Sequence, residues 1–338
     1  MNFALILSLA ILTDNILGDP KFLYHPVIFI GKIVKLFSNT TTSFIRGLVT
    51  CISTVMITGS FVFLILYIFD CNLIIQVYLL YSALAWRDLK DETEKIYTSL
   101  INDDIINARK FLSYVVGRDT ENLNFYEIVR ATIETIAENS IDGIISVIFF
   151  AAVGYVINQD YGMCVCVWIF KASSTLDSMI GYEHFGKFGT PSARLDDILN
   201  FIPARLGGIF IILSGMFHPS VSLREPPSLN EGRLESPLTK GRCLVRDREV
   251  LTERFRIFFR DRKNHSSPNS AHGESAFAGV LNIRLGGAAF YNGRLKFRKF
   301  INIEANDPEP YDILRAWKLL DVSCSMFSVF AIILLWKI

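Results

Sequence analysis

Residues 47–69 read GLVTCISTVMITGSFVFLILYIF, an uncharged stretch between Arg46 and Asp70. A helix needs about 20 consecutive, largely apolar residues to cross the hydrocarbon core of a bilayer. This stretch meets that requirement and predicts a membrane-spanning helix at about residues 48–69. It decides the fold class, because a chain with such a segment is an integral membrane protein.

Further apolar runs lie at about residues 3–17, 71–86, 143–170, 206–217 and 322–336. The run at 71–86 is predicted to form a tight transmembrane hairpin with the first, whereas those at 143–170 and 206–217 either cross or dip in and return. The sequence therefore predicts an all-α, polytopic integral membrane protein with about 4–6 membrane helices and cytoplasmic helical loops. We expect a single membrane-embedded domain over residues 1–338.

The composition supports a membrane location. The chain is 51% hydrophobic and 20% charged, whereas soluble domains are about 45–50% apolar and about 25% charged. The net charge of +1 argues against a nucleic-acid partner held by bulk charge. The six cysteines contain no CxxC pair and the five histidines no HxxxH spacing. A structural zinc site is therefore not expected, and the cysteines are interpreted as apolar packing residues.

The polar segments indicate which face is cytoplasmic. Residues 218–320 carry 18 Lys plus Arg against 12 Asp plus Glu, and residues 18–47 are also basic. The positive-inside rule puts both segments in the cytoplasm, together with residues 87–142, which follow the predicted hairpin. Residues 218–250 lack an apolar period, so we expect a polar loop or insertion there.

A first polar constellation begins after Gly117. The segment from Arg118 to Thr120 is typical of a helix start. Further along, an arginine and three carboxylates recur every fourth residue and should share one helical face: Arg130, Glu134, Glu138 and Asp142. The stripe is either a solvated face or a functional site. It lies directly before the apolar run at 143–170, where ionisable groups are costly and are often functional, and both interpretations stay open.

A second constellation, residues 171–206, reads KASSTLDSMIGYEHFGKFGTPSARLDDILNFIPARL. Its hydroxyls, carboxylates and arginines suit Mg²⁺ and a polyphosphate, since Mg²⁺ binds one or two carboxylates and arginine forks onto phosphate. The alternative is a set of internal ion pairs that holds a polar loop against membrane helices. The chain has no GxxxxGK[ST] motif, so a nucleotide site would be of another kind.

A third constellation, residues 264–287, reads NHSSPNSAHGESAFAGVLNIRLGG. We expect a turn, then a small-residue helix that opens at Glu274 and ends at Gly286–Gly287. Its start is either an anion site or a plain turn before a packed helix. Near the first apolar run, Asp14, Asp19 and His25 form a fourth patch, in which the histidine beside a proline is more often structural.

Taken together, these blocks resemble the adenosylcobinamide-phosphate synthases of cobalamin biosynthesis, the CobD/CbiB-type membrane family. The matching blocks occur in the same order along almost the whole chain: TDNILGDPKFLYHPVIFIGK (13–32), GRDT (117–120), ETIAENSIDG (134–143), TLDSMIGY (175–182), ARLDDILNFIPARL (193–206), and SPN…ESAFAGVLNIRLGG (267–287) followed by Tyr291. Several ordered blocks are a far stronger signal than any single motif.

The resemblance implies a carbon–nitrogen ligase that joins aminopropanol or its phosphate to the free propionate of adenosylcobyric acid. It implies ATP and Mg²⁺, with no bound prosthetic group. The implied partners are the corrinoid, the amine, membrane lipid and other late cobalamin-pathway membrane enzymes. The implied location is the inner cell membrane, multi-pass, with a cytoplasmic active face.

Residue chemistry within these blocks predicts the site. The predicted catalytic carboxylates are Glu134, Glu138, Asp177, Asp196 and Asp197. The predicted substrate or phosphate contacts are Arg118, Lys171, Ser178, Arg194, Arg205, Asn269 and Glu274. The predicted Mg²⁺ ligands are Asp142, Asp177 and Asp197.

Two features depart from the family pattern. Residues 270–273 replace its usual Ala-Gly turn, and Ala271 would be strained by about 1 kcal/mol or more if the turn required positive φ. The 218–250 stretch is also longer and more polar than the family's connection.

Three other functions compete with the ligase. Intramembrane carboxylates also suit a corrinoid transporter or a non-catalytic membrane sensor, although no internal repeat of the kind transporters show is visible. A membrane prenyl transferase is disfavoured, because the chain lacks paired DDxxD or NDxxD-type motifs.

Overall fold

The structure, a computed structural model, describes residues 2–20, 25–37, 43–181, 183–217, 237–265, 267–291 and 293–336. The α-helices in these ranges are α1 (Phe3–Leu17), α2 (Pro26–Phe37), α3 (Phe44–Ile68), α4 (Leu73–Tyr81), α5 (Trp86–Ile101), α6 (Ile105–Leu112), α7 (Phe125–Asn139), α8 (Ser146–Ile157), α9 (Gly162–Ile180), α10 (Thr190–Leu199), α11 (Phe201–Phe217), α12 (Pro237–Asp261), α13 (Ser270–Leu281) and α14 (Pro310–Leu335). The shorter elements are a π-helix (Ser140–Ile145), a 3₁₀ helix (Glu183–Phe188) and the strands β1 (Leu285–Gly286), β2 (Ala289–Tyr291), β3 (Arg294–Lys296) and β4 (Phe300–Ile301).

Within the described residues, four helical segments are long and apolar enough to cross a membrane: Phe44–Ile68, Phe125–Ile157, Gly162–Ile180 and Pro310–Leu335. The pair α10 and α11, bent by 47°, makes a fifth if it forms one span. The predicted fold class is confirmed: the chain is an all-α polytopic membrane protein, and its described residues include only two short strand pairs.

The observed helices differ from two predicted segments, 71–86 and 218–250, and define a third, 143–170, whose path the sequence leaves open. The run at 71–86 forms only the nine-residue α4, too short to cross alone, since a span takes about 20 residues. The run at 143–170 is divided between α8 and α9 by a turn in which the Asn158 side chain accepts the Asp160 and Tyr161 N–H groups. The 218–250 loop is helical from Pro237 onward, while residues 218–236 lie outside the described residues.

The chain forms two compact units. The first comprises Met1–Lys90, Asn139–Ala204 and Phe327–Ile338, and the second comprises Asp91–Glu138 and Arg205–Met326. The expectation of one membrane-embedded domain stays a prediction.

In the first unit, α3 turns its small residues inward and its large apolar residues outward. Gly47, Thr54 and Gly59 are on its buried face, while Ile52 and Met56 are 54% and 62% exposed. This is typical of membrane helices, because lipid solvates large apolar side chains and small residues allow close helix packing.

Also in the first unit, α8 and α9 form a helical hairpin. A Cβ added at Gly154 would overlap the Gly162 carbonyl group, and one at Gly162 would overlap the Gly154 carbonyl. Farther from the turn, the Phe150 and Phe170 rings stack with centroids 4.9 Å apart. The two glycines therefore set how closely the hairpin arms approach.

In the second unit, two antiparallel strand pairs follow α13. β1 pairs with β4 and β2 pairs with β3. The buried Asn302 fixes this segment: its backbone N–H donates to Asp261 Oδ2 at 2.8 Å, and its side-chain amide donates to the Ala278 carbonyl at 3.2 Å. The strand region is thereby attached to both α12 and α13.

Candidate active site

Glu134 is the centre of a buried charged cluster in the second unit. Only 1% of the residue is exposed. Its Oε1 accepts the Gly286 backbone N–H at 2.7 Å, and its Oε2 accepts Arg298 Nη2 at 2.7 Å as well as Arg118 Nη2. Two arginines and a backbone amide therefore hold one carboxylate in the interior, which excludes the solvated-face interpretation of the stripe for this residue.

Three distant parts of the chain supply these partners. Arg118 lies in the loop before α7, so the predicted helix start at Arg118–Thr120 is wrong; the helix instead begins after Asn124, whose side chain caps the Glu127 N–H. Arg298 comes from the segment between β3 and β4. Gly286 has φ +78°, and a Cβ there would lie 2.5 Å from the Lys299 carbonyl, so a glycine lets its N–H reach Glu134.

Glu274 is the second carboxyl group of the cluster. It is 2% exposed, and its Oε1 lies 3.6 Å from Arg298 Nη1. Burial, and then the nearby charge of Glu134, raise the pKa of Glu274 to about 8. The group is therefore mostly protonated at neutral pH, and the cluster pairs an ionised carboxylate with a neutral one that can exchange a proton near physiological pH.

Two other residues of the stripe, Arg130 and Glu138, also have contacts that follow the predicted four-residue spacing. Arg130 donates to the Gly286 carbonyl at 3.0 Å and to Asp307 at 3.1 Å. One turn beyond Glu134, Glu138 Oε1 accepts the Ser270 hydroxyl at 2.8 Å. The three α7 side chains thus contact the segment 270–307, as expected for residues four apart on one face.

The start of α13 lies four residues before the position that the sequence predicts. The helix begins at Ser270 and ends at Leu281, with Asn282 in the left-handed conformation. Glu274 is therefore inside the helix, and Gly286–Gly287 belong to the strand segment instead. Ala271 is helical and not among the residues with positive φ, so the strain considered for it does not arise.

A cleft in the second unit borders this cluster. Its volume is about 740 Å³. Its lining combines basic, acidic and apolar side chains, including Arg260, Arg298, Lys299, Glu304, Phe297 and Phe300. Arg298 contacts Glu134 and Glu274 and also lines the cleft, so it joins the buried carboxyl groups to a space that a ligand can enter.

Two more predicted site residues, Arg205 and Asn269, lie in the second unit, and the remaining ones lie in the first unit. The half-buried Lys171 is within the electrostatic influence of Asp142 and Asp19. Asp196 Oδ2 accepts from Asn200, whose amide oxygen accepts the buried Ser146 hydroxyl at 2.8 Å. Asp177 packs against Gly181 at the end of α9.

Two predicted substrate contacts are on the surface of the first unit, and one predicted carboxylate is half-buried. Ser178 is exposed, and its hydroxyl donates to the Ser174 carbonyl. Arg194 is exposed and Asp197 is half-buried. In the fourth patch, His25 Nδ1 accepts the Val27 N–H at 3.2 Å, which fits the structural role expected for it.

Among the described residues, no group of three or more His, Cys, Asp or Glu side chains could hold a metal ion. The predicted Mg²⁺ ligands Asp142, Asp177 and Asp197 therefore do not form a ready-made cage. A nucleotide-borne Mg²⁺ needs only one or two protein carboxylates, because phosphate oxygens and water fill its other positions. The assignment of these three aspartates to Mg²⁺ stays a prediction.

Sequence reasoning missed Arg298, Gly286 and Ser270. The residues 294–299 read RLKFRK, which is typical of an exposed basic turn and gives no indication that one arginine is turned inward. Ser270 lies in the segment 270–273, which departs from the family pattern, so the resemblance did not indicate it as a site residue.

The CobD/Cbib protein family model matches residues 7–320. The chain belongs to this family. No solved structure matches it.

Relatives from several bacteria, each named cobalamin biosynthesis protein CobD, align with most of the chain. The Clostridium perfringens protein is 37% identical over 95% of this chain and 94% of its own length. The Clostridium tetani protein is 36% identical over 88% of this chain and 87% of its own length. The Pelobacter propionicus protein is 38% identical over 88% of this chain and 84% of its own length. Family membership and these relatives support a role in cobalamin biosynthesis.

Proposed function

We propose that this CobD/CbiB-family chain is an ATP-dependent amide ligase that joins aminopropanol, or its phosphate, to the free propionate of adenosylcobyric acid. The observation that carries the proposal is the cluster of Glu134, Glu274 and Arg298 beside an open cleft. Such a site can bind an anionic group and exchange a proton with a nucleophile. Family membership and the ordered sequence blocks supply the substrate class.

The reaction needs activation because a carboxylate is a poor electrophile. In the first step the propionate oxygen attacks the γ-phosphorus of ATP, the bond to the β-phosphate oxygen breaks, and ADP leaves. In the second step the amine nitrogen attacks the acyl carbon of the acyl phosphate. Inorganic phosphate leaves with the former carboxylate oxygen, and the nitrogen loses a proton.

The side chains of the cluster suit two requirements of this two-step reaction. Arg298, at the cleft wall, presents a fixed positive charge to the propionate or to a transferring phosphate. Glu274, with a pKa of about 8, is mostly protonated at neutral pH, so its ionised fraction takes the proton that the amine loses; a pKa near the working pH suits this exchange. Arg118 shares Glu134 with Arg298, and Glu134 thereby fixes the position of both guanidinium groups.

Mg²⁺ bound with the nucleotide would neutralise phosphate charge, and Asp142, Asp177 and Asp197 are the residues we propose for contacts with it. Lys171, Arg194 and Arg205 are proposed for phosphate or corrinoid-carboxylate contacts. We also propose that the chain lies in the cell membrane with its active face in the cytoplasm, where ATP is available.

The test uses membranes that contain the full chain, supplied with adenosylcobyric acid, ATP, Mg²⁺ and aminopropanol phosphate. ATP-dependent formation of adenosylcobinamide phosphate supports the proposal. Glu138→Gln and Asp177→Asn should each abolish turnover in folded protein. Glu121→Gln and Asp160→Asn, which alter exposed turn residues, serve as controls and should react normally.

Two results would contradict the assignment. No amide product from the wild type, under conditions in which a relative is active, would reject the ligase. Wild-type rates in both Glu138→Gln and Asp177→Asn would reject the assigned site.

A further inference from the structure

The amino terminus of α13 has no side-chain cap. Asn269 occupies the cap position without bonding an N–H of the first turn. Its amide oxygen instead accepts Arg205 Nη1 at 3.3 Å. A helix start carries unpaired N–H groups and partial positive charge, and here an arginine adds to that charge.

A second arginine, Arg262, lies nearby. Its guanidinium stacks over the Phe259 ring at 5.1 Å, and its Nε is buried without a hydrogen-bond partner. None of the ion pairs in the described part of the chain involves Arg262. Its charge acts on both Arg205 and His272, so a second positive charge lies near the start of α13, and a bound anion would lower the repulsion between the two arginines.

His272, in the first turn of α13, supplies an independent indication of a ligand. It is 2% exposed, and within the described residues neither ring nitrogen has a hydrogen-bond partner. The ring packs edge-on against Phe258, and the backbone groups of Pro268 and Asn269, just before the helix, lie near the ring but outside hydrogen-bond geometry. A buried polar group left unsatisfied is costly, so this imidazole is suited to a ligand at the helix start.

The ionisation of His272 agrees with this geometry. Burial, and then the charge of Arg205, lower the pKa of His272 to about 4. The ring is therefore neutral at pH 7 and keeps one N–H as a donor. A phosphate, with several acceptor oxygens and up to two negative charges, matches two guanidinium forks, an imidazole N–H and a helix start.

We propose that Arg205, Arg262 and His272, at the amino terminus of α13, form a binding site for a phosphate group. This deepens the proposed function and rests on it only for the source of the phosphate, which is either the phosphorylated amine or ATP. Anion binding itself does not depend on the ligase reaction.

The first experiment measures binding of radioactive inorganic phosphate to the detergent-purified full chain by equilibrium dialysis. Arg262→Gln should weaken binding by about tenfold or more, because it removes charge-assisted hydrogen bonds. Arg256→Gln is the matched control, since Arg256 is on the exposed face of α12 and pairs with Glu253. Its affinity should equal that of the wild type.

A second pair of variants separates binding from folding. Arg262→Lys keeps the charge and should retain more binding than Arg262→Gln. His272→Phe keeps a ring against Phe258 but has no donor, and it should also weaken binding. Wild-type phosphate affinity in folded Arg262→Gln or His272→Phe would overturn the proposal.

Steady-state kinetics distinguish the two sources. If the site holds the amine's phosphate, Arg262→Gln raises KM for aminopropanol phosphate and leaves KM for aminopropanol unchanged. If it holds a nucleotide phosphate, KM for ATP rises with either amine. Unchanged KM values for ATP and for both amines would overturn the assignment to either substrate. A wild-type protein that forms no amide would contradict the ligase, while the dialysis still decides the phosphate site.

Discussion

Glu274→Gln should remove a pH-dependent loss of stability. The pKa of Glu274 is raised from 4.5 to about 8, first by burial and then by the charge of Glu134. Below pH 4.5 the carboxyl group is neutral in both the folded and the unfolded chain. As pH rises from 4.5 to 8, the unfolded chain ionises this group while the fold keeps it protonated, so the stability it contributes is lost across that window.

The size of the effect follows from the same pKa. Each pKa unit corresponds to about 1.4 kcal/mol, so the displacement from 4.5 to about 8 amounts to on the order of 5 kcal/mol between the ends of the window. Glutamine has nearly the shape of a protonated glutamate and does not titrate. The stability of Glu274→Gln relative to the wild type should therefore increase between pH 5 and pH 9.

Thermal unfolding of detergent-purified protein across this pH range measures the difference. Comparing variant with wild type cancels the other titrating groups, and Glu121→Gln, an exposed substitution just before α7, should follow the wild type throughout. A difference between Glu274→Gln and wild type that stays constant from pH 5 to pH 9 would refute the reasoning.

Three further predictions concern stability. Arg298→Gln leaves Glu134 short of a counter-charge in the interior and should cost about 3–5 kcal/mol; an unchanged unfolding midpoint would contradict this. Gly154→Leu would overlap the carbonyl group of Gly162 and should abolish the monodisperse peak in size-exclusion chromatography, whereas a normal peak would show that the hairpin can open. Asn282 has φ +53°, so Asn282→Val should lower stability by about 1–2 kcal/mol while Asn282→Gly should not; equal melting curves for the two variants would count against the strain.

The sequence predicts those features that depend on local spacing. The uncharged run before Asp70 becomes α3 because length and composition alone make a spanning helix. The common direction of Arg130, Glu134 and Glu138 follows from the helical repeat. Both inferences need no knowledge of distant contacts.

The partners of that stripe depend on tertiary structure and could not be predicted in the same way. Glu134 meets Arg298 across 164 positions of sequence, and nothing in the local pattern of residue 298 marks it as buried. The start of α13 is also displaced, because Asn269 takes the cap position without making the side-chain bond that usually identifies a cap.

The most direct test of the ligation follows oxygen atoms. Adenosylcobyric acid labelled with ¹⁸O in its free propionate is incubated with the protein, ATP, Mg²⁺ and aminopropanol phosphate. An acyl phosphate intermediate predicts that one ¹⁸O atom leaves with each inorganic phosphate formed and one stays in the amide. Amide product accompanied by unlabelled phosphate would contradict γ-phosphoryl transfer to the carboxylate.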